Sequence, residues 1–572
     1  MRILFIHNDN LPFSYFDIAQ ECSVEDYCFS EHPVRKASSD RDDVDTFLTK
    51  SLDNLFITAD VPDLIVVPFS LSQVNPIEYT GIRLAAHIRL GSNDVWKRIP
   101  ILFNGPNSVE EVMRLSDIGA LLVTPKVFCS RINTSDELLH WIADNGIKLT
   151  PLTDAEYDVF INRFIISPPE NYDDSNHSIT NLWNMLRWSE MLKWDEGKEP
   201  ELSDLVNEFS FSLYNKWLQV VTGTREHFKK KKTKRIPSIP RLQGKKIVHI
   251  DDDLLKGWQN ILSAIFSCSG AEYCPYSDFN PNQNKDELLK SISEFLDNHA
   301  DADCYIIDLK LHEDDSKSDD YQSYTGHLIA KYLYEKNPGN QVILFTASDK
   351  VWNYVYSEKY CADYIVKEDP TRLLSKEQSN ELFVDFSRAI QNACDRSYLK
   401  EYYKYCSSSS YLSDFFEILR SNNDTQKLNV INMRSAALNL MVFIESTIKS
   451  KFHISGSSKI LSTSTNAELY SASDVFIESI DAPDGTKVAT KVHVATSQLG
   501  HTNWYQMKND MFLICAVLIK HYGISEYVVE KVIELKNIRN QSIAHGSKYS
   551  TISLTLLQQV FSNIVLPMVT KP

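Results

Sequence analysis

Residues 246–253 read Lys-Ile-Val-His-Ile-Asp-Asp-Asp, an apolar run that ends in three consecutive carboxylates. A short buried strand that stops at acidic side chains is typical of parallel α/β sheets, which place functional groups at the carboxyl ends of their strands. Four further candidate strands follow it, at residues 271–276, 304–307, 342–345 and 364–366. Stretches with helical spacing separate these strands. The alternation predicts an open, parallel, doubly wound sheet over residues 241–375.

Polar side chains stand where these strands end. Asp251 and Asp252 follow the first strand, Asp308 follows the third, and Thr346 and Lys367 close the fourth and fifth. Because the carboxyl ends of parallel strands meet at one edge of a sheet, we expect these side chains to lie close together. Neighbouring carboxylates repel one another unless they share a cation, and Mg²⁺ is held by carboxylates, water and phosphate oxygens. The sequence therefore predicts a magnesium site at which a carboxylate attacks phosphorus, beside a hydroxyl and an ammonium that take up charge.

These motifs, in this order, resemble the receiver domain of two-component response regulators. The resemblance implies a flavodoxin-like (βα)5 fold, a Mg²⁺ cofactor and a sensor histidine kinase as the partner that supplies the phosphoryl group. It also implies that Asp308 is the phospho-acceptor and that Lys367 pairs with it or with the phosphate. The other implied positions are the metal ligands Asp251, Asp252, Asp308 and Lys310 (through its carbonyl) and the switch residues Thr346 and Tyr364.

Two features depart from that family. Its members usually have proline directly after the lysine, whereas Lys367 is followed by Glu368 and the chain reaches proline only at Pro370. The loop after Asp308 is also long, and residues 313–320 contain five carboxylates. We interpret this loop as a solvated one. The alternative is a part in metal access or in kinase docking.

Residues 1–150 repeat the same rhythm of strands and helices. Four segments correspond in order, namely 63–67 to 303–307, 80–84 to 325–329, 101–103 to 343–345 and 119–123 to 361–365. Two copies of one α/β unit, far apart in the chain, predict tandem domains rather than a solenoid.

The first copy keeps the scaffold of the second without its chemistry. The residues at the equivalent positions are His7, Asn8 and Asp9 for the acidic cluster, Pro68 for the phospho-acceptor, Asn104 for the hydroxyl and Thr124 for the lysine. Because proline cannot be phosphorylated, we predict a degenerate pseudo-receiver. Its role is either a protein–protein surface, dimerisation included, or packing against residues 151–227. The sequence does not decide between these two roles.

The whole chain is predicted to combine α/β and all-α units. The predicted units are a pseudo-receiver at residues 1–150, a helical connector and basic linker at 151–240, a receiver at 241–375, a connecting helix at 376–405 and a helical output domain at 406–572. The linker at 228–240 joins a lysine run to two prolines, which excludes a continuous helix and favours a solvated tether over a phosphate contact. We expect one long helix, residues 380–404, to carry a signal from the receiver to the output domain.

The last unit is expected to be mostly helical, with a loop and short strands at residues 454–501. Arg539, Asn540 and His545 stand near its end, and with them this region resembles the HEPN superfamily, many of whose members are metal-independent ribonucleases with a site shared by a dimer. The resemblance implies that His545 exchanges a proton with a ribose 2′-hydroxyl while Arg539 holds the phosphate. The alternative is a non-catalytic HEPN-like module for dimerisation or partner binding.

Composition is consistent with a soluble protein, which we expect to be cytoplasmic. The 572 residues include 59 Lys+Arg and 76 Asp+Glu, a formal net charge of −17 that argues against a nucleic-acid coat protein. Residues 401–572 contain 16 basic and 14 acidic side chains, so the acidity does not exclude RNA at that end. No apolar run approaches the ~18–20 residues that span a bilayer. Ten scattered cysteines without metal-binding spacing are typical of reduced thiols.

We therefore predict a response-regulator-like protein in which phosphorylation of Asp308 controls a C-terminal ribonuclease, in a stress or phage-defence role. A homodimer, an RNA substrate and no membrane association are expected. Two other hypotheses stay open, which are an adaptor without enzymatic activity and a receiver that serves only as a phosphate sink.

Overall fold

The computed structural model describes most of the chain. The described residues are 1–8, 22–29, 41–72, 78–168, 178–192, 209–222, 239–280, 283–318, 320–347, 359–421, 430–455, 459–471, 475–481, 487–494, 504–505, 510–538 and 552–571. Predictions for Asp9, Arg539, Asn540 and His545, and for most of the basic linker, fall outside these ranges. No helix in the described ranges is long and apolar enough to cross a membrane. All ten cysteines are free.

The first domain is built around a five-stranded parallel sheet. Its strands are β1 (Arg2–His7), β2 (Ser23–Cys28), β3 (Leu64–Pro68), β4 (Ile101–Asn104) and β5 (Val127–Ser130). Their order across the sheet is β2-β1-β3-β4-β5. The central strands are buried apolar runs, as a sheet with helices on both faces requires. The helices are Arg41–Thr58, Thr80–Arg89, Val109–Leu115 and Ser135–Asn145.

The second domain repeats this architecture. Its strands are β6 (Lys246–Ile250), β7 (Glu272–Pro275), β8 (Cys304–Ile307), β9 (Val342–Thr346) and β10 (Asp363–Val366). They are again parallel, in the order β7-β6-β8-β9-β10, which is the flavodoxin-like order. The helices are Trp258–Cys268, Lys285–Asn298, Glu313–Lys317, Thr325–Lys336 and Lys376–Asp395. The two parallel sheets expected from the sequence are thus present.

Two glycines show that the domains correspond residue by residue near the acceptor position. A Cβ atom on Gly326 would lie 2.1 Å from the carbonyl oxygen of Asp308, and one on Gly81 would lie 1.9 Å from that of Pro68. Only glycine therefore lets the following helix approach the end of the central strand this closely. Pro68 occupies the place in the first domain that Asp308 occupies in the second.

The last strand of the first domain differs from the prediction. Residues 118–123 include the segment that corresponds to 361–365 of the second copy, and this correspondence predicts that they form the last strand. Instead, Gly119–Val123 is a 3-10 helix and the strand β5 begins at Val127. Short apolar runs of this kind do not distinguish a strand from a buried helical turn. Thr124 therefore does not stand at the lysine position. Arg131 follows β5 as Lys367 follows β10.

Three helices, Asp154–Arg163, Ser178–Leu192 and Leu213–Val221, form the expected connector. We call Ser178–Leu192 the connector helix. Its Trp183 and Leu186 belong to the hydrophobic core of the first domain, whereas Met185 and Trp188 belong to that of the second. One helix therefore supplies core side chains to both domains.

The connecting helix is shorter than predicted. Residues 380–404 form two helices, Lys376–Asp395 and Leu399–Cys406, with a break at Arg396. Phe386 and Ile390 of the first helix pack in the core of the second domain, whereas Leu399 packs in the C-terminal core. The break thus falls where the buried face of the chain changes domain.

Short strands are present in the C-terminal domain where they were expected, but they pair into sheets, which corrects the all-α class predicted for this unit. Its further helices are Ser410–Arg420, Val430–Lys451, Asp510–Lys520, Glu526–Ile538, Leu554–Val560 and Leu566–Thr570. Between them lie two antiparallel three-stranded sheets, with strands β11 (Phe452–Ile454), β12 (Lys459–Ser462), β13 (Glu468–Ser471), β14 (Val475–Asp481), β15 (Lys487–Val494) and β16 (Trp504–Tyr505). Buried Val475, Ile477 and Val492 stand at alternating positions, the period of a half-buried strand. A polar composition hides that period.

Candidate functional site

The acidic edge of the second sheet is organised around one buried ammonium group. The Nζ atom of Lys367 lies 2.9 Å from Oδ2 of Asp251 and 2.8 Å from Oδ2 of Asp308. All three side chains are almost completely buried. Strands β6 and β8 are neighbours in the sheet, and β10 lies beyond β9 on the far side of β8. All three end at the same edge, so residues separated by 116 positions in sequence share a hydrogen bond. The sequence expectation that these three residues meet agrees with this geometry.

Asp252 completes a set of oxygen ligands. Asp251, Asp252 and Asp308 each offer an oxygen atom, and these oxygens lie within 4.8 Å of one another. Asp252 is exposed at the mouth of the site, so a cation and its water ligands can approach from solvent. Hard carboxylate oxygens at this spacing fit a divalent cation such as Mg²⁺.

The ionisation of the cluster follows from burial and charge. Burial opposes ionisation of Asp251, but the Lys367 ammonium holds the pKa of this carboxyl well below its usual range. Burial raises the pKa of Asp308 to about 6, even though Lys367 lowers it. Loss of solvent and repulsion by Asp251 and Asp308 raise the pKa of Asp252 to about 8. Because Asp252 is exposed and keeps water, we attribute its shift mainly to the repulsion. A bound cation would relieve that repulsion.

Three further residues predicted for this site, Thr346, Tyr364 and Lys310, differ in their burial and contacts. Thr346 is buried at the end of β9, and its carbonyl accepts the backbone N–H of Lys367 at 2.7 Å. Tyr364 is half-buried in β10 and packs on the core of the second domain. Lys310 follows Asp308 by two residues and places its ammonium 5.5 Å from the ring of Tyr324. The roles of these three residues stay predictions.

Sequence reasoning missed Asn181, a residue of the connector helix. Its side-chain oxygen accepts hydrogen bonds from Lys367 Nζ at 2.7 Å and from Trp258 Nε1 at 3.2 Å. Its amide nitrogen donates to Asp253 Oδ2. Asn181 is only 2% exposed. A residue from outside the second domain therefore shares the ammonium that contacts the predicted phospho-acceptor.

The connector helix also forms hydrogen bonds with Glu368, the residue after Lys367. The Asn184 side chain accepts the N–H of Glu368 and donates to its carbonyl, both at 2.7 Å. Trp183 Nε1 and the Arg187 guanidinium contact Glu368 Oε1 at 3.0 and 3.4 Å, and the Ser379 hydroxyl donates to Oε2 at 2.6 Å. Proline at position 368 would remove both the N–H and the carboxylate. Glu368, which stands where the family usually has proline, therefore allows the connector helix to bind at this position.

The acidic loop after Asp308 is not simply solvated, in contrast to our interpretation. Residues Glu313–Lys317 form a short helix, and Asp315 is fully buried within the loop. Its carboxylate lies 2.6 Å from Lys285 Nζ and accepts the backbone N–H groups of Leu311 and Thr325. The acidic composition of residues 313–320 gives no sign that one carboxylate in this run is buried and structural.

The equivalent edge of the first sheet has no acidic cluster among its described residues. His7 ends β1 and contacts Asp26 at 3.3 Å, and Pro68 ends β3. Asn104 ends β4. Its side-chain nitrogen donates to the carbonyl of Ile132 at 3.0 Å, and its side-chain oxygen accepts the N–H of Ile132 at 2.9 Å. Arg131 follows β5 and is exposed. Pro68 thus stands at the position in the first domain that corresponds to Asp308 in the second.

The C-terminal motif cannot be placed. The helix Glu526–Ile538 ends one residue before Arg539, and Arg539, Asn540 and His545 all lie outside the described residues. The predicted Arg–His pair and its arrangement across a dimer therefore stay predictions.

Comparison with known proteins gives one informative match. Residues 24–130 match the family model of the inactive receiver domain. No curated protein matches the chain. Among solved structures, an ABC sugar transporter (periplasmic sugar binding protein) from Legionella pneumophila is similar to 67% of this chain and 93% of its own, at 10% identity and a TM-score of 0.18, which is too low to support an argument. The chain thus contains a receiver-like domain whose family description agrees with a degenerate first copy.

Proposed function

We propose that this protein is a signalling regulator in which Asp308 of the second domain accepts a phosphoryl group while the first domain serves as its non-phosphorylated partner. One observation carries the proposal: Lys367 bridges Asp251 and Asp308 at the strand ends while Asp252 stands open to solvent. The receiver-like match of residues 24–130 supports a regulator of this general kind.

The chemistry needs an oxygen of Asp308 that is not bonded to Lys367, and this oxygen is Oδ1, which accepts the backbone N–H of Leu309. In the transfer from a phosphohistidine of a sensor kinase, an Asp308 oxygen bonds to phosphorus, the P–N bond breaks, and the imidazole leaves with a proton. Lys367 neutralises the second oxygen of Asp308 and stands ready to contact the phosphoryl oxygens. Asp251, Asp252 and Asp308 would hold Mg²⁺, which supplies charge neutralisation for the transferred group. Lys310 through its carbonyl is the remaining proposed ligand.

The route of the signal is proposed to run through the connector helix. A phosphoryl group on Asp308 adds negative charge beside an ammonium that already bonds Asn181. Any shift of Lys367 toward the phosphate weakens that bond, and the same helix anchors the first domain through Trp183. Phosphorylation is thereby coupled to the position of the first domain. Thr346, Tyr364 and the helix Lys376–Asp395 provide the second route, toward the C-terminal domain, that the sequence suggested.

For the C-terminal domain we propose the ribonuclease role that the HEPN resemblance implies, acting on RNA as a homodimer. Arg539, Asn540 and His545 would form its site. The motive is the sequence motif together with the near-neutral charge of residues 401–572. Loss of RNA cleavage in His545→Ala tests this role. Cleavage that is absent in the unmodified and the phosphorylated protein alike favours the adaptor or phosphate-sink alternatives.

Phosphorylation of Asp308 is tested by intact-mass spectrometry of the full chain after incubation with acetyl phosphate and Mg²⁺. We expect the mass of one phosphoryl group on the unmodified protein and none on Asp308→Asn. The matched control is Asp314→Asn, an exposed carboxylate on the neighbouring helix, which should be labelled normally. Equal labelling of Asp308→Asn and the unmodified protein would refute the proposal, as would a rate that does not depend on Mg²⁺.

A further inference from the structure

The described residues at the two sheet edges differ in charge. In the second domain the edge contains the carboxylates of Asp251, Asp252 and Asp308 with one ammonium. At the corresponding edge of the first domain, the described residues that line a cavity include His7, Pro68 and Arg131, and none of the described lining residues is acidic. This lining therefore favours an anion over a cation.

A cavity occupies this edge of the first sheet. Its volume is about 340 Å³, and it is lined by Ile6, His7, Val66, Val67, Pro68, Asn104, Gly105, Pro106, Arg131, Ile132 and Asn133. No carboxylate is among the described lining residues. Open parallel sheets bind ligands at the carboxyl ends of their strands, and this volume lies at the lower end of the ~300–1,000 Å³ of small-molecule sites.

The backbone next to Arg131 is fixed by hydrogen bonds, and no described carboxylate pairs with this arginine. Asn104 fixes the backbone of Ile132 with two hydrogen bonds, and Arg131 is the preceding residue. Within the described parts of the chain, the Arg131 side chain makes no hydrogen bond or ion pair. A guanidinium on a fixed loop, facing a concave surface, offers the planar fork that phosphate and carboxylate groups match.

We propose that this cavity binds a small organic anion whose phosphate or carboxylate group lies against Arg131. The cavity exceeds the size of a bare oxyanion, so its apolar walls at Pro68 and Pro106 would contact the organic part of the ligand. The first domain is then a sensor of a small molecule. The inference does not depend on phosphorylation of Asp308.

Calorimetric titration of the full chain tests the proposal. The probes are inorganic phosphate, 5′-AMP and succinate, and protein and probes are first passed over a chelating resin so that no cation links a probe to the acidic edge of the second domain. At least one probe should bind, and Arg131→Ala should weaken that binding about tenfold or more, because a charge-assisted pair is lost. Binding of 5′-AMP alone identifies a phosphate site, and binding of succinate alone identifies a carboxylate site.

The matched control is Arg114→Ala, an exposed arginine on the helix Val109–Leu115 of the same domain, which should bind the probe as the unmodified chain does. Hydrogen exchange should slow on binding at residues 130–133 and not at residues 366–369. The proposal is overturned if none of the three probes binds, if Arg131→Ala retains full affinity, or if protection appears only in the second domain.

Discussion

Asn181 joins the connector helix to the acidic edge, and Asn181→Ala is the sharpest perturbation of the coupling. The substitution removes the acceptor of the Trp258 indole N–H, a donor to Asp253 and one of three oxygens around Lys367 Nζ. Lys367 keeps Asp251 and Asp308, so its contribution to the loss of stability is small. A buried polar group that loses its partner costs about 1–3 kcal/mol. Because the indole N–H of Trp258 loses this acceptor, we expect the free energy of unfolding to fall by about 1–3 kcal/mol.

Stability and coupling are measured separately on this variant. Urea denaturation followed by tryptophan fluorescence gives the loss of stability, because Trp183, Trp188 and Trp258 surround the altered residue. Limited proteolysis with and without acetyl phosphate and Mg²⁺ measures the coupling between phosphorylation of Asp308 and the first domain. In the unmodified protein, phosphorylation should change the rate of cleavage in the first domain and the connector. In Asn181→Ala that difference should disappear while Asp308 is still labelled.

Asn162→Ala serves as the control, since it removes an exposed asparagine from another connector helix, where the amide bonds only the local carbonyl of Asp158. Its stability should stay within about 0.5 kcal/mol of the unmodified protein. The reasoning is refuted if Asn181→Ala is as stable as this control, or if phosphorylation changes proteolysis of the first domain as strongly in Asn181→Ala as in the unmodified chain.

Three further predictions follow from buried contacts. Burial and Lys216 lower the pKa of His87 to about 4 from its usual 6.5, so the unfolded chain binds the proton first and unfolding free energy should fall by about 3 kcal/mol between pH 6.5 and 4. Denaturation measurements across that range should show that the free energy of unfolding depends less steeply on pH in His87→Gln. An unchanged pH dependence would contradict the lowered pKa of His87. Asp315→Ala should lower the free energy of unfolding by about 3–5 kcal/mol, because the substitution removes the buried carboxylate that pairs with Lys285. The control Asp314→Ala removes an exposed carboxylate and should leave stability nearly unchanged. Equal losses in the two variants would contradict this prediction. Trypsin cleavage at the lysines of residues 229–232 should yield fragments that co-elute in gel filtration, since the connector helix contacts the second domain from the other fragment, and separate elution would disprove this.

The strand-end residues of the second domain were predictable because their chemistry and their topology coincide. Each of Asp251, Asp308 and Lys367 closes a short apolar run, and parallel strands bring such ends together whatever the helices between them do. The repeat of the α/β unit was predictable as well, because short apolar runs recur in the same order in both domains. Whether these residues act as the resemblance implies is a matter for the experiments above.

The contacts across domains were not predictable. Asn181 and Lys367 are 186 positions apart, and their hydrogen bond depends on how the connector helix packs rather than on any local pattern. The fifth strand of the first domain was misplaced because a five-residue apolar run fits a buried 3-10 turn equally well. In the C-terminal domain, short strands were expected at residues 454–501, but the pairing of β14 with β15 into a sheet was not, because it depends on contacts between strands rather than on local sequence.

The hydrogen bonds between Asn184 and Glu368 restrict which residue can stand at position 368. The side-chain oxygen of Asn184 accepts the N–H of that residue, so proline there would remove this hydrogen bond. Polar residues spaced as Asn181, Asn184 and Arg187, upstream of a parallel α/β domain whose strand-end lysine is not followed by proline, therefore form a joint signature. Chains that share it should share this domain arrangement even where their remaining sequences have diverged.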